Sequence, residues 1–323
     1  MSTTYDPIDA VITWVDGSDP KLQTKRSKYI SIKKDDATVK ESRYSDCDEL
    51  LYCLTGIAEN LRFIKRVFIV TDDQIPSAIE RLRTRLPKSR ELDICVVDHK
   101  CIFRDFEEFL PTFNSTTIES ALHRIPNLSN RYIYFNDDFI AIEPLEEEFF
   151  FHGNKPVLRG YFRRSILVQK LRPLLLRKGR GNYFSYKDYQ LRSAEIVGDA
   201  EQYFWHDHIP HPFYRPTLQS FFENNQDIFR TNISFRTRNY TQFDTMALSN
   251  VLHINDGNAS IERNLHLLYL KPSNKKFPRI YLVRKWITLK VKRKKFLCIQ
   301  TLSDCDTRVR NLIIRWLDKK FGY

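Results

Sequence analysis

Arg131-Tyr-Ile-Tyr-Phe-Asn-Asp-Asp138 is the stretch on which the fold turns. Tyr132 to Phe135 are β-branched or aromatic throughout, the composition of a short buried strand. That strand stops on Asn136, Asp137 and Asp138. In open α/β sheets, ligands bind outside the carboxyl ends of the strands. Two adjacent hard oxygen ligands there suit Mg²⁺ or Mn²⁺, and such ions suit a diphosphate. A plain turn accounts for the same residues, because Asn and Asp side chains satisfy local backbone after a strand.

The preceding chain repeats the pattern. Asp9-Ala-Val-Ile-Thr-Trp-Val15 reads as a strand followed by the turn Asp16-Gly-Ser-Asp-Pro20, where Gly17 allows a positive φ and Pro20 stops the extension. Residues 21–42 read as a polar helix and loop. Asp46 and Glu49 have capping-box spacing, and Leu50, Leu51, Leu54, Ile57, Ala58 and Leu61 give the following helix one apolar face. Arg66 to Thr71 is a strand ending on Asp72-Asp73. Pro76 to Leu86 is a basic helix, and Leu92 to Val97 is a strand ending on Asp98-His99. A helix through Leu122 precedes the strand at 132–135. Strands and helices that alternate over short connections predict a parallel sheet with crossover helices. Four acidic strand ends would then share one edge. Their mutual repulsion is costly unless a cation lies among them.

Composition narrows the function. Residues 1–150 hold 20 Lys/Arg against 27 Asp/Glu, whereas residues 151–323 hold 32 against 13. The acidic half suits a metal, and the basic half suits a polyanion. Lys155 to Arg192 mixes eleven Lys/Arg with aromatics and one acid, Asp188, and reads as a substrate-side insertion. His206-Asp-His-Ile-Pro-His-Pro212 is a histidine-rich loop able to contact phosphate or move protons. Thr231 to Arg236 reads as a short strand, and Gln242 to Leu252 as a helix. Lys271 to Lys295 has eleven Lys/Arg, no acid and interleaved apolar residues, a pattern that suits a surface meeting an anionic membrane or, equally, the solvated face of an ordinary helix. Thr307 to Phe321 is a final helix. No G-x-G-x-x-G, Walker A or G-x-S-x-G motif is present. No apolar run of 18 residues and no basic-then-apolar leader is found, so neither a spanning helix nor a signal peptide is expected. The six cysteines form no C-x-x-C pair and are expected to be reduced.

Four blocks resemble the Stealth family of sugar-1-phosphate transferases. That family includes bacterial capsule polysaccharide phosphotransferases and the lysosomal-enzyme N-acetylglucosamine-1-phosphotransferase. The first block is Ile8 to Pro20. The second joins Arg43-Tyr-Ser-Asp-Cys-Asp-Glu-Leu50, Ile69 to Pro76, Leu110 to Glu119 and Asn136-Asp-Asp138. The third covers His208-Ile-Pro-His211 and Phe235-Arg236, and the fourth is Phe296-Leu-Cys-Ile299. In the fourth, Gln300-Thr301 stands where the family has an acidic pair, with Asp304 and Asp306 the nearest acids. The family's Pro/Ser-containing tail is also missing after Tyr323.

The resemblance implies transfer of a hexose-1-phosphate, commonly N-acetylglucosamine-1-phosphate, from a UDP-sugar to an acceptor hydroxyl. On that basis Asp137 and Asp138 hold Mg²⁺ or Mn²⁺, and His208 or His211 is the base or phosphate contact. Arg236 neutralises the transferred phosphoryl group. Trp14, Asp16, Gly17, Asp19, Arg43, Asp46, Asn114, Ser115, Glu119 and Asn136 bind substrate. The expected fold is α/β, a Rossmann-like, mostly parallel sheet of GT-A-like kind, with a basic helical insertion and a C-terminal helical segment. The expected division is a nucleotide-sugar and metal-binding part at 1–150 and an acceptor-side insertion at 151–205. The catalytic domain is completed at 206–270, and a basic segment with the last helix fills 271–323. The expected partners are a UDP-hexose, a phosphate-containing polysaccharide, and the anionic inner membrane face or capsule assembly proteins, with no nucleic acid. The expected location is cytoplasmic, peripheral to the inner membrane. Two other readings stay open: a metal-dependent glycosyltransferase that releases UDP, and a basic nucleic-acid-binding module, which predicts strongly salt-dependent binding.

Overall fold

The computed structural model describes residues 6–30, 47–87, 90–164, 185–199 and 201–323. Its strands are β1 (Ile8–Thr13), β2 (Arg66–Thr71), β3 (Asp93–Asp98), β4 (Arg131–Asn136), β5 (Phe139–Ala141), β6 (Phe151–His152), β7 (Lys155–Arg159), β8 (Tyr161–Arg164), β9 (Gln202–Trp205), β10 (His211–Tyr214), β11 (Ser260–Glu262), β12 (Leu267–Leu270) and β13 (Phe296–Ile299). The main sheet has the order β10-β4-β1-β2-β3. Its last four members are parallel, and β10 runs antiparallel on β4. The fold is therefore α/β with a mostly parallel sheet, as the alternation predicted. Thr13 pairs with Asn136 and Thr71 with Asp98, so the carboxyl ends of the parallel strands share one edge.

The sheet is covered on both faces, which is why β1 and β4 carry apolar residues on both sides. Ile133 and Phe135 join one core with Ala10 and Ile12 of β1 and with Leu50, Leu54 and Ile57 of the helix Glu49–Asn60. Tyr132 and Tyr134 point the other way, into a core with Val11, Phe68 and Phe213. All six apolar positions assigned to the helix after residue 49 are buried.

A smaller sheet of order β12-β13-β5 positions the acidic turn from below. β13 pairs antiparallel with β5 immediately after Asp138, with Cys298 opposite Phe139. The helix Glu49–Asn60 presses on β5 at Gly56, where a Cβ would stand 2.6 Å from the Ala141 carbonyl oxygen. Only glycine permits that approach. Asn60 Nδ2 donates to the same oxygen at 2.9 Å. The helices Pro278–Val291 and Thr307–Phe321 close a third core on this sheet.

Several local expectations change. Pro20 opens the helix Pro20–Tyr29 instead of ending an extension, because its fixed φ suits a first helical position and Asp19 caps it. Gly17 does not adopt a positive φ; the turn is made by Asp16, whose Oδ1 accepts from Ser18 N at 2.8 Å and Ser18 Oγ at 2.6 Å. Asp48, not Asp46, precedes the helix Glu49–Asn60, and the Glu49 carboxylate accepts the Cys47 N–H. Thr231 to Ile233 end a helix, Gln226–Ile233, instead of forming a strand. Phe229 and Ile233, four apart, are both buried, and that helical spacing decides the matter. In the basic stretch, 155–164 forms β7 and β8, and Tyr186–Ile196 is helical. Arg43, Asp46 and most of the basic stretch, including Arg172, lie outside the described residues.

Burial of histidines makes the fold acid-labile. Burial pushes His99 and His253 down to about 4 and His123 and His211 down to about 3. Each binds its proton readily only when unfolded, so stability falls as pH drops below the usual histidine value of 6.5 toward those folded values. Glu119 and Asp138, both raised to about 7 by burial, act in the opposite sense between about 4 and 7, but they are two against four. The melting temperature is expected to fall between pH 6.5 and pH 5, at about 1.4 kcal/mol per histidine per pH unit before the carboxyls offset it. Melts followed by circular dichroism test this, and a flat profile over that range would contradict it.

Candidate active site

The carboxyl end of β4 is held by one phenol. Tyr134 Oη is 2.6 Å from Asn136 Oδ1, 2.8 Å from Thr13 Oγ1 and 3.3 Å from Glu119 Oε1. A single phenolic hydrogen cannot serve all three, so Thr13 or a protonated Glu119 donates in return. Burial raises the Glu119 carboxyl to about 7, and the Asp244 charge adds to this while Arg238 opposes it. Glu119 thus takes a proton more readily than an ordinary carboxylate and is tied to both β1 and β4 through Tyr134.

Asp138 occupies the turn into β5. Its Oδ2 receives the Cys298 thiol at 3.5 Å, and its backbone carbonyl accepts from Ile299 N at 3.3 Å. Its Oδ1 is shielded from solvent and has no hydrogen-bond partner among the described residues. Burial raises the carboxyl to about 7, the Cys298 thiol pulls it down, and Glu49 pushes it up. A shielded carboxylate oxygen without a donor is costly unless a cation joins it. That orphaned oxygen suits a divalent ion, and the charges of Asp138 and its neighbour in the chain, Asp137, both act on the Cys298 thiol. Among the described residues, no three His, Cys, Asp or Glu side chains are grouped to hold a metal alone. Mg²⁺ does not need such a cage, because it takes one or two carboxylates together with substrate phosphates and water.

The other acidic strand ends have local partners for at least one carboxylate oxygen. Asp72 Oδ1 meets Lys25 Nζ at 2.9 Å. Asp98 accepts from Asp73 N and Lys100 N, both at 2.8 Å. Asp19 caps the helix Pro20–Tyr29 and receives Gln74 Nε2 at 2.9 Å. Gln74 also exchanges bonds with the Asp16 backbone, accepting its N–H at 3.0 Å and donating to its carbonyl at 2.9 Å. Two strand-end carboxylate oxygens are shielded without a hydrogen-bond partner among the described residues, Asp138 Oδ1 and Asp72 Oδ2, and Asp72 already pairs with Lys25 through its other oxygen. Trp14 is buried with its backbone N–H on the Val70 carbonyl at 3.0 Å, and the Gly17 carbonyl takes Gln23 Nε2 at 3.1 Å.

The three loop histidines have different settings. The His208 ring stacks between Tyr186, 4.9 Å away, and Tyr269, 5.6 Å away, with Phe139 at 6.3 Å. Its Nε2 lies 3.4 Å from Gln300 Nε2, and Gln300 Oε1 receives the Tyr269 hydroxyl at 2.6 Å. Burial lowers its pKa, against the pull of Asp207, so the ring is neutral at pH 7. His211 is fully buried on β10 opposite Tyr134. His206 Nε2 is 3.7 Å from Asp244 Oδ1, and its Nδ1 is 3.1 Å from Tyr186 Oη. Burial raises Asp244, but His206 and the Ala247 N–H outweigh this and hold it below the usual carboxylate value.

The remaining residues expected at the site divide. Tyr134 joins Asn136 to Glu119, and Phe139 and the β13 end bring His208 to the turn that Asp137 and Asp138 form. Ser115 Oγ receives Arg238 Nη2 at 2.9 Å, one turn from Glu119. Asn114 is a buried helix cap that also donates to Gln242 Oε1 at 2.8 Å. Arg236 donates to the carbonyls of Glu108 at 3.2 Å and Leu110 at 3.4 Å, with its guanidinium 5.1 Å from the Tyr29 ring centre. Sequence reasoning missed Tyr134, Arg238, Asp244, Tyr269 and Gln300. Arg238 lies only two residues beyond Arg236 and carried the same signal.

Comparison with known proteins finds capsular and exopolysaccharide phosphotransferases among the relatives of this chain. Residues 6–34 match Stealth protein conserved region 1, and residues 43–158 match Stealth protein conserved region 2. Capsular polysaccharide phosphotransferase cps1A of Actinobacillus pleuropneumoniae is 39% identical over 150 residues, covering 46% of this chain and 39% of that protein. Capsular polysaccharide phosphotransferase LcbA of Aeromonas hydrophila is 32% identical over 246 residues, 72% of this chain and 62% of that protein. Exopolysaccharide phosphotransferase SCO2594 of Streptomyces coelicolor is 30% identical over 288 residues, 87% and 42%. The matched part of this chain thus spans well under half of the first and third of these relatives. Among solved structures, apo mouse xyloside xylosyltransferase 1 has a TM-score of 0.44 at 8% identity, covering 90% of this chain and 98% of that one. Galactosyltransferase LgtC has a TM-score of 0.41 at 9% identity, covering 98% and 95%.

Proposed function

The chain belongs to the Stealth family, and on that premise we propose that it transfers a hexose-1-phosphate from a UDP-sugar to a hydroxyl of a capsular or exopolysaccharide chain. N-acetylglucosamine-1-phosphate is the group we assign. The observation that carries the reading is the shielded, unpartnered Oδ1 of Asp138 at the carboxyl end of β4. Asp137 and Asp138 would hold Mg²⁺ or Mn²⁺, which would supply charge neutralisation to the donor diphosphate. In the transfer, the acceptor oxygen bonds to the β-phosphorus, the bond from that phosphorus to the bridging oxygen breaks, and UMP leaves. His208 takes the acceptor proton at its ring nitrogen, which the lowered pKa keeps free at neutral pH. Arg238 offers a cation to the equatorial oxygens, a role its bond to Ser115 supports better than the carbonyl contacts of Arg236 support it there. Trp14, Asp16, Gly17 and Asp19 shape the nucleotide side, with Gln74 fixing the loop. Arg163, 4.3 Å over the Trp205 ring, begins an acceptor surface for a phosphate-bearing polymer.

A UDP-hexose labelled in its β-phosphate tests the reading. Attack at phosphorus carries the label into polymer and frees UMP. Attack at the anomeric carbon leaves the label in UDP. Label found only in UDP would replace this reading with a glycosyltransferase.

A further inference from the structure

Among the described residues, no helix is long and apolar enough to cross a membrane. The helix Pro278–Val291 nevertheless has apolar residues on two sides. Leu282 is fully buried, and Tyr281, Trp286 and Leu289 pack beside it on the third core. On the opposite side Ile280, Val283, Ile287 and Val291 are 61%, 52%, 58% and 75% exposed. Their spacing of three, four and four residues aligns them in one stripe. Phe277, just before the helix, is 62% exposed. A helix resting on a core ordinarily turns a polar face to water. This one turns a bare aliphatic stripe to it.

The surrounding charge identifies what covers the stripe. Lys271 to Lys295 contains eleven Lys/Arg and no acid. Arg279, Arg284 and Lys290 are exposed and lie beside or within the stripe. A second copy of this face would bring like charges together around the apolar contact. We propose that this face docks on the surface of an anionic phospholipid bilayer. Such a surface presents negative headgroups over an apolar layer, and a basic helix of this pattern lies in its plane. The long stems of Lys and Arg let their charges stay at headgroup level while the stripe enters. The dock connects to the site described above. Tyr281, on the inner side, donates to the Tyr269 carbonyl at 3.3 Å, and the Tyr269 ring stacks on His208. The proposal stands apart from the proposed transfer, because docking needs neither donor nor acceptor.

Flotation with phosphatidylcholine vesicles, with and without phosphatidylglycerol, tests it on the full chain. The wild-type protein should float with the anionic vesicles and not with phosphatidylcholine alone. Arg279→Gln/Arg284→Gln/Lys290→Gln should weaken the partition on the order of 10²-fold, at roughly fivefold per basic side chain near the surface. Ile280→Asn/Ile287→Asn should abolish the part of the binding that survives high salt. All five side chains are exposed, so circular dichroism melts should match wild type; should the isoleucine pair misfold, Val283→Ser/Val291→Ser makes the same test. No flotation of the wild type, or flotation unaltered in both variants, would overturn the proposal. So would capture by a soluble polyanion without vesicle binding, or a dimer that the apolar variant dissolves.

Discussion

Asp138→Asn is expected to lower turnover by about 10²–10³-fold or more while the protein stays folded, the scale for removing one electrostatic contact to a transition state. The amide has the same shape as the acid, so the turn into β5 and the Ile299 N–H bond to the Asp138 carbonyl are kept. What is lost is the charge on a shielded oxygen that no described residue satisfies. On the proposed reading the carboxylate serves a ligand and not the core. Mg²⁺ should accordingly raise the melting temperature of the wild-type protein by a few degrees and leave the variant unmoved, because a ligand that binds only the folded state stabilises it in proportion to its occupancy. Chelation should abolish turnover in the wild type. A variant that melted early yet kept full activity per folded molecule would make Asp138 structural.

His208→Gln is expected to lower kcat by about 10²–10⁴-fold, the range for loss of a general base, with little change in donor affinity. The ring is gripped between Tyr186 and Tyr269 and its Nε2 faces Gln300, so its direction is fixed before substrate arrives. Burial lowers its pKa, and the acidic limb of the kcat–pH profile should therefore lie below pH 6.5. That limb should vanish in the variant. His211→Gln should instead act through stability, since His211 is sealed in β10 behind Tyr134. Equal kcat losses in the two variants with the acidic limb retained would remove His208 as the base.

Much of this was legible in the chain because burial on both faces writes a strand as a near-continuous apolar run. β1, β2 and β4 end close to where Asp or Asn begins, and the final helix Thr307–Phe321 has the bounds read from the sequence. Thr231–Arg236 reads as a short strand by itself, without the preceding turn, where Phe229 supplies the helical partner of Ile233. At the site, the strand-end carboxylates were visible in the sequence because each follows an apolar run. Tyr134 could not, because an aromatic ring inside an apolar run reads as core, and here the ring is core while its hydroxyl joins three elements. Pairings across long separations were closed to sequence reading altogether. Cys298 reaches Asp138 across 160 residues, and Gln300 reaches His208 across 92. The fourth block, read as divergent because Gln300-Thr301 replaces an acidic pair, is in fact the strand that abuts Asp138.

The central claim is that the acidic end of β4 holds a divalent ion on which the donor diphosphate rests. Calorimetric titration of Mn²⁺ into the protein, with and without UDP, measures this directly. The wild type should bind Mn²⁺, UDP should tighten that binding, and Mn²⁺ should tighten UDP by the same factor, as linkage requires. Asp138→Asn should lose the Mn²⁺ heat and the coupling together. Unchanged Mn²⁺ binding in that variant, or UDP affinity indifferent to chelation, would contradict the account.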